Sequence, residues 1–400
     1  MEELTARRAS VNSKENLFPE VKKNPGRVRL AVSLFYFGQG LSFASWASRI
    51  PDIKHSLSLS DAALGSILLA LPLGQLCTMP LSGRLVTQFG SKKVLTFAAP
   101  LYVLALTNLG IAAASWQLAI GLFLFGITGN MCNIAVNTQG VEAEKLFTKP
   151  IMTSFHGAWS IAGFTGALIG LLMINLHISP YLHFWIIVVF IWLNVFLNYK
   201  HLVPGKAATT VKKTSFFTRP EGSLLQLGII GFCSMATEGA MFDWSGVYFK
   251  EIVEAPQSLV VLGYASFMVM MATGRFVGDF VILKLGRKRT LQTSGLIITA
   301  GMALSVFFPY ILPATIGFML VGVGVSSIVP SLYSVAGKNK KVSAGMAIAM
   351  VSSVSYLGFL MGPPLIGYIS ALSSLRYSYA LVGCLGLLTT FLVTKIKAVD

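Results

Sequence analysis

Charge is what this 400-residue chain has least of. Only 12% of its residues are Asp, Glu, Lys or Arg, against 54% that are hydrophobic. A soluble domain rarely combines so little charge with so much apolar content. Acids are scarcer still, with 15 Asp and Glu against 31 Lys and Arg. The five histidines, His55, His156, His177, His183 and His201, are scattered. They form no H-E-x-x-H, and no phosphate loop is present, which argues against a zinc hydrolase or a nucleotide enzyme. Cys77, Cys132, Cys233 and Cys384 lie in apolar blocks without metal-ligand spacing. They read as reduced, small hydrophobic residues. No clustered nucleophile or acid pair is evident, so no enzyme, metal, redox cofactor or nucleic-acid partner is expected. Residues 1–27 lack a short apolar core followed by a cleavage site. They read as a cytoplasmic tail before an uncleaved first span.

What is present is a series of apolar blocks about 20 residues long, enough to cross a hydrocarbon core of about 30 Å. Backbone groups in lipid must be satisfied internally, so the blocks should be helices. The expectation is an all-α polytopic membrane protein with twelve spans, at 28–48, 62–82, 94–114, 117–138, 152–175, 183–199, 224–249, 258–278, 291–309, 313–335, 345–371 and 377–396. An even number puts both termini on one side. With that side inside, 27 of the 31 Lys and Arg are cytoplasmic, and only Arg49, Lys54, Lys250 and Arg376 are outside. The net charge of +16 is therefore a topology signal rather than a mark of nucleic-acid binding. Both termini are expected in the cytoplasm.

The basic, proline-broken segment 200–223 divides the spans six and six. It reads as a linker between bundles at 28–199 and 224–396, with a short tail at 397–400. Its lysines suit anionic headgroups. The halves also repeat in detail. "GRLVTQFGSKKVL" (Gly83 to Leu95) lies between spans 2 and 3, and "GRFVGDFVILKLGRKRTL" (Gly274 to Leu291) between spans 8 and 9. Both begin Gly-Arg and end in Gly, a basic cluster and the next span. Parallel six-span repeats are a transporter plan with the site between halves.

The first loop resembles the signature loop of the major facilitator superfamily, roughly G-x-L-a-D-r-x-G-r-k. Gly83, Leu85, Gly90, Lys92 and Lys93 match, and Thr87 stands where Asp is usual. In the second loop Arg275, Asp279, Gly286, Arg287 and Lys288 fit, after Gly274. "WASRIPDIKHSLSLSDAALG" (Trp46 to Gly65), "FHGAWSIAGFTGALIG" (Phe155 to Gly170) and "EGAMFDWS" (Glu238 to Ser245) are similar to bacterial permeases related to fucose permease. The resemblance implies alternating access by a monomer in a bacterial inner membrane, with sugar-like substrates often taken up with protons. It also implies a cytoplasmic latch in which the loop's acid and arginines pair across helix ends and cap a helix terminus. Gly83, Arg84, Gly90, Lys92, Lys93, Gly274, Arg275, Asp279, Gly286, Arg287 and Lys288 are the gate candidates. Thr87 cannot form an ion pair, so the first-half latch should be the weaker. A purely topological role for the basic residues is the competing reading.

By these boundaries Glu238 and Asp243 are the only acids inside a span. An ionisable side chain there is costly and marks function. Glu238, near the middle of span 7, is the leading proton carrier; a buried structural hydrogen bond is the alternative. Asp243 is the second proton-coupling candidate, though at 100° per residue it points roughly 140° away unless the helix bends. Gly239, Ser245 and Gly246 would permit a bend. Asn130, Asn133 and Asn137 share one face of span 4 and suit a hydroxyl-rich ligand or interhelical bonding. His156 and Trp159 on span 5, Gln39 and Trp46 on span 1, Trp244 on span 7 and Tyr356 on span 11 complete the substrate candidates. Aromatic packing is the plainer reading for the rings. Proton-coupled efflux of amphipathic compounds is the second function. The Gly-Pro that many drug antiporters carry in span 5 is here in span 11, at Gly362, which weakens that reading.

Overall fold

The computed structural model describes residues 24–396, apart from 60, 205–221, 257–258, 260 and 340. Most of the N-terminal tail, most of the 200–223 linker and the C-terminal tail lie outside the described residues. Among the described residues the chain is helical, with no strand. In chain order the helices are α1 (Pro25–Ser56), α2 (Asp61–Leu68), α3 (Ala70–Phe89), α4 (Ser91–Gly110), α5 (Ser115–Glu144), α6 (Met152–Asn175) and α7 (Pro180–Asn198). The second series is α8 (Gly222–Glu251), α9 (Val261–Leu285), α10 (Arg287–Phe307), α11 (Ile311–Ser326), α12 (Ile328–Ala336), α13 (Ala344–Leu372) and α14 (Leu375–Lys395). These make twelve spans, since α2 with α3 and α11 with α12 each form one interrupted crossing.

Eleven segments are long and apolar enough to cross a bilayer. The twelfth, α1, is diluted by Gln39 and its serines. Its 32 residues reach about 48 Å, ample for a crossing. The serines are accommodated locally: Ser42 Oγ donates to the Gly38 carbonyl at 2.9 Å, and Ser45 Oγ to that of Leu41 at 2.8 Å. Pro25 opens α1, where its missing N–H is harmless.

The two halves pair their helices alike. In the first, α1 packs on α6, α3 on α5, α4 on α5 and α4 on α7; in the second, α8 packs on α13, α9 on α11, α10 on α11 and α10 on α14. Contact between halves is two-fold in the same sense, α13 on α3 and α9 on α6.

Several helices run further than their apolar stretches. Span 4 continues to Glu144, and span 8 to Leu285 instead of ending at 278. Asp279 is therefore a helical residue, as are Glu142 and Glu144, and Arg275 lies well inside α9. The turns explain this. A single residue joins α3 to α4 and α9 to α10: Gly90 (φ 82°, ψ 148°) and Gly286 (φ 79°, ψ 157°). That backbone region is essentially restricted to glycine. A Cβ on Gly286 would meet nothing within 4 Å, so only its conformation resists substitution. Gly286→Ala should destabilise the detergent-solubilised protein by about 1–3 kcal/mol. Gly163→Ala is the control, because that helical glycine also faces open space. It should stabilise by about 0.5–1 kcal/mol. Equal melting shifts in the two variants would contradict this account.

α8 continues as one helix through Gly239, Ser245 and Gly246 to Glu251. The break that would turn Glu238 and Asp243 to one side is not seen there. An unbroken helix keeps them on different faces.

Candidate functional site

Glu238 sits on α8 roughly 20 Å from either helix end. Arg275 lies on α9, ten residues or about 15 Å from the end at Leu285. Each is only 7% exposed. A lone charge at such a position costs several kcal/mol, so the two being neighbours is physically required. The Arg275 NH2 nitrogen stands 3.8 Å from Glu238 Oε2, an ion pair longer than a hydrogen bond. Its NH1 donates to Ser160 Oγ of α6 at 2.7 Å, across the interface between halves. Its Nε has no hydrogen-bond partner.

The first half answers with a polar cluster. Tyr36 OH of α1 donates to Asn137 Oδ1 at 2.9 Å, and His156 Nε2 lies 3.2 Å from the same oxygen. That acceptor calls for a proton on Nε2. The Asn137 amide donates to Asn133 Oδ1 at 2.5 Å and to the Asn133 carbonyl at 2.9 Å. Ring centroids place His156 5.3 Å from Tyr36 and 6.2 Å from Tyr333 of the second half. Ser352 Oγ donates to Tyr333 OH at 2.9 Å. The result is a connected set of amide, imidazole, hydroxyl, guanidinium and carboxylate groups at mid-depth, shared by both halves.

The structure sorts the sequence candidates. Glu238, His156, Asn133 and Asn137 meet in or beside this cluster. Asn130 instead accepts from Ser82 Oγ at 2.8 Å, tying α3 to α5. Gln39 lines a small void inside the first half with Asn194, Tyr102 and Cys132. Trp46 is buried in the core. Trp159 packs near Phe43, with ring centroids 6.3 Å apart, and Tyr356 near Phe359 at 5.8 Å. Asp243 is exposed, and Trp244 is half-buried near Gly367. Sequence reasoning missed Tyr36, Tyr333 and the position of Arg275. Arg275 carried no clear signal in the sequence, because a basic residue near the end of a span resembles a topology charge.

A second group joins the halves at the end bearing the two glycine turns, here called the basic end. Glu144, 4% exposed, closes α5. Its Oε2 accepts from the Ile151 and Met152 N–H groups at 3.2 and 3.1 Å, at the start of α6. Its Oε1 faces the other half, accepting from Ser334 Oγ at 2.5 Å and Lys338 Nζ at 3.1 Å, with Arg287 NH2 at 3.6 Å. Arg287 also donates to Ser334 Oγ at 2.9 Å. Asp279 reaches the same α6 terminus from α9. It accepts from Thr153 N–H at 3.0 Å, Ser154 N–H at 2.8 Å and the Ser154 hydroxyl. Two carboxylates thus cap one helix N-terminus, where N–H groups and dipole both favour negative charge.

The related end of the first half does the same with hydroxyls. Thr87 Oγ1 lies 2.5 Å from Ser343 Oγ, and Ser343 caps α13. Gly83 lets α3 approach α13, because a Cβ there would come 2.8 Å from that of Ala349. Gly274 lies against Ser326 in the same manner. The loop cations do not act as one group. Arg275 belongs to the mid-depth cluster, Lys92 donates to the Lys200 carbonyl at 3.2 Å, and Lys93 is exposed. Arg84 and Lys288 are half-buried. Asp279 works as a helix cap, and the ion pairing across the halves belongs to Glu144.

The sequence profile of the Major Facilitator Superfamily matches residues 30–346. The chain belongs to that family. An uncharacterised MFS-type transporter of Yersinia pestis is 32% identical over 371 residues, covering 93% of this chain and 95% of that protein. Among solved structures, the E. coli fucose:proton symporter FucP, in the outward conformation, superposes with a TM-score of 0.79. It is 15% identical and covers 92% of this chain and 98% of FucP. The proton:xylose symporter XylE gives a TM-score of 0.72 at 14% identity, over 93% and 96% of the two chains. This Major Facilitator Superfamily member is a multi-pass membrane transporter, not an enzyme. Secondary transport by such proteins binds a small molecule within the membrane, between the two six-helix halves.

Proposed function

We propose that the chain takes up a small polar, sugar-like solute by proton-coupled symport across a bacterial inner membrane. The observation that carries this reading is the Glu238–Arg275 pair, buried at mid-depth against the other half. A carboxylate there can hold its negative charge only while the guanidinium faces it. Any motion of α9 relative to α8 changes its proton affinity, which couples protonation to conformation. Amides of Asn133 and Asn137, with His156, Tyr36 and Tyr333, offer donors and acceptors for hydroxyl groups. FucP and XylE, both proton symporters of sugars, share the fold and lend the reading support.

The basic end is taken as cytoplasmic, from the predominance of Lys and Arg on that side. Closure at the basic end through Glu144, Asp279 and Thr87 then corresponds to an outward-facing state. The test is uptake into proteoliposomes with and without an inward proton gradient, across a panel of labelled sugars and sugar derivatives. Accumulation is expected only with the gradient and should collapse with a protonophore. Uptake indifferent to the gradient would sink symport, and gradient-driven extrusion would favour the efflux alternative.

A further inference from the structure

We infer that Arg275 is the binding residue for a carboxylate on the transported solute, which makes the substrate a small hydroxylated acid rather than a neutral sugar. The inference rests on the reading of Glu238 as the proton carrier and narrows its substrate. Three observations on Arg275 lead to it. Its NH1 donates to Ser160 Oγ at 2.7 Å. Its NH2 holds Glu238 only loosely, at 3.8 Å. Its Nε is buried and without a hydrogen-bond partner. Nε and NH2 form the side-on edge of the guanidinium, two parallel donors spaced to match the oxygens of a carboxylate. That edge makes no hydrogen bond at Nε and only a long ion pair at NH2, in a group that cannot shed its charge. A purely structural ion pair would be expected to close it.

Charge accounting points the same way. With Glu238 ionised, the pair is neutral. When Glu238 takes a proton, a bare guanidinium remains at mid-depth. A neutral solute does not offset that charge, and a solute carboxylate does. Proton and acid would then cross together with no net charge, and the empty carrier would return as the neutral Arg275–Glu238 pair. The titratable groups around the pair fit this scheme. Tyr333 on α12 faces Glu238 and His156 of the first half faces Arg275, while Tyr356 on α13 lies beside Tyr333 and Tyr36 on α1 beside His156. Tyr379 of α14 donates to the nearby Ala240 carbonyl at 3.4 Å. None of these supplies a second carboxylate to neutralise Arg275. The hydroxyl and amide groups of the cluster would meet the acid's own hydroxyls.

The experiment is thermal stabilisation and equilibrium binding with the purified full-length protein. The probes are D-gluconate, D-glucuronate and acetate, matched against D-glucose and sorbitol, on the acid and alkaline sides of neutrality. Carboxylates should stabilise the wild type, more strongly on the acid side, and the neutral probes should not. Glu238→Gln mimics the protonated carboxyl. It should bind the carboxylates at least as tightly as wild type and lose the pH dependence. Arg275→Gln should weaken binding on the order of 100-fold, and Arg275→Lys should restore part of it. The double variant with Glu238→Gln and Arg275→Gln contains no unpaired charge, so its melting curve reports folding independently. Neutral probes binding as well as the acids would overturn the inference. So would carboxylate binding unchanged in Arg275→Gln, or silence from every carboxylate even in Glu238→Gln. Gradient-driven uptake of a neutral sugar would overturn this inference and leave symport intact. Carboxylate binding through Arg275 with gradient-independent uptake would overturn symport and leave the anion site standing.

Discussion

Glu238→Gln should abolish proton-driven accumulation while leaving solute exchange across the membrane. The amide keeps the size of the side chain and can still face Arg275 with an oxygen, but it cannot release a proton. Each pH unit of inward gradient is worth about 1.4 kcal/mol, or a tenfold accumulation for one proton per solute. In the variant that ratio should fall to about one. Counterflow needs only binding and alternation, so preloaded vesicles should still exchange labelled solute. A structural role for Glu238 predicts a different pattern. Breaking a buried ion pair costs about 3–5 kcal/mol, and a misfolded variant would lose exchange and accumulation together. Normal accumulation by a folded Glu238→Gln protein would end the assignment.

The second large effect is expected at the basic end. Glu144 holds two α6 N–H groups with one oxygen and Ser334, Lys338 and Arg287 of the other half with the second. Glu144→Ala removes all of these and leaves a partly buried Arg287 without its carboxylate. The loss should be about 3–5 kcal/mol, borne by the state in which this end is closed. A two-state equilibrium needs about 5.5 kcal/mol to pass from 1:99 to 99:1, so the populations should shift substantially. Spin labels at Lys93→Cys and Arg289→Cys, both exposed and on opposite halves, report the shift. Their separation should lengthen in Glu144→Ala. An unchanged distance distribution would mean that packing at Gly83 and the Asp279 cap hold this end without Glu144.

Most of the fold was legible because hydropathy and the period of charge act locally along the chain. The helical spans and the repeat of the two halves followed from it. The site was legible only in part. Glu238 stood out because an acid in an apolar block is costly. Arg275 did not, because a basic residue near a span's end looks like a topology signal. Only the backbone conformation at Gly286 shows that α9 runs on beyond it. The partition of the three asparagines was likewise hidden. Periodicity puts Asn130, Asn133 and Asn137 on one face, but which of them meets Ser82 and which meets His156 is set by neighbouring helices. Glu144 and Asp279 converge on one helix terminus from opposite halves, a long-range coincidence no local pattern encodes.

The central claim is that solute binding and protonation meet at Glu238. Its most direct test is solute-linked proton uptake by purified protein in weakly buffered detergent solution, followed with a pH-sensitive dye. The probe is whichever solute the binding and uptake panels identify. The wild type should take up a proton as the solute binds, and Glu238→Gln, still binding it, should take up none. Equal proton uptake by the two proteins would place the coupling site elsewhere and contradict the account.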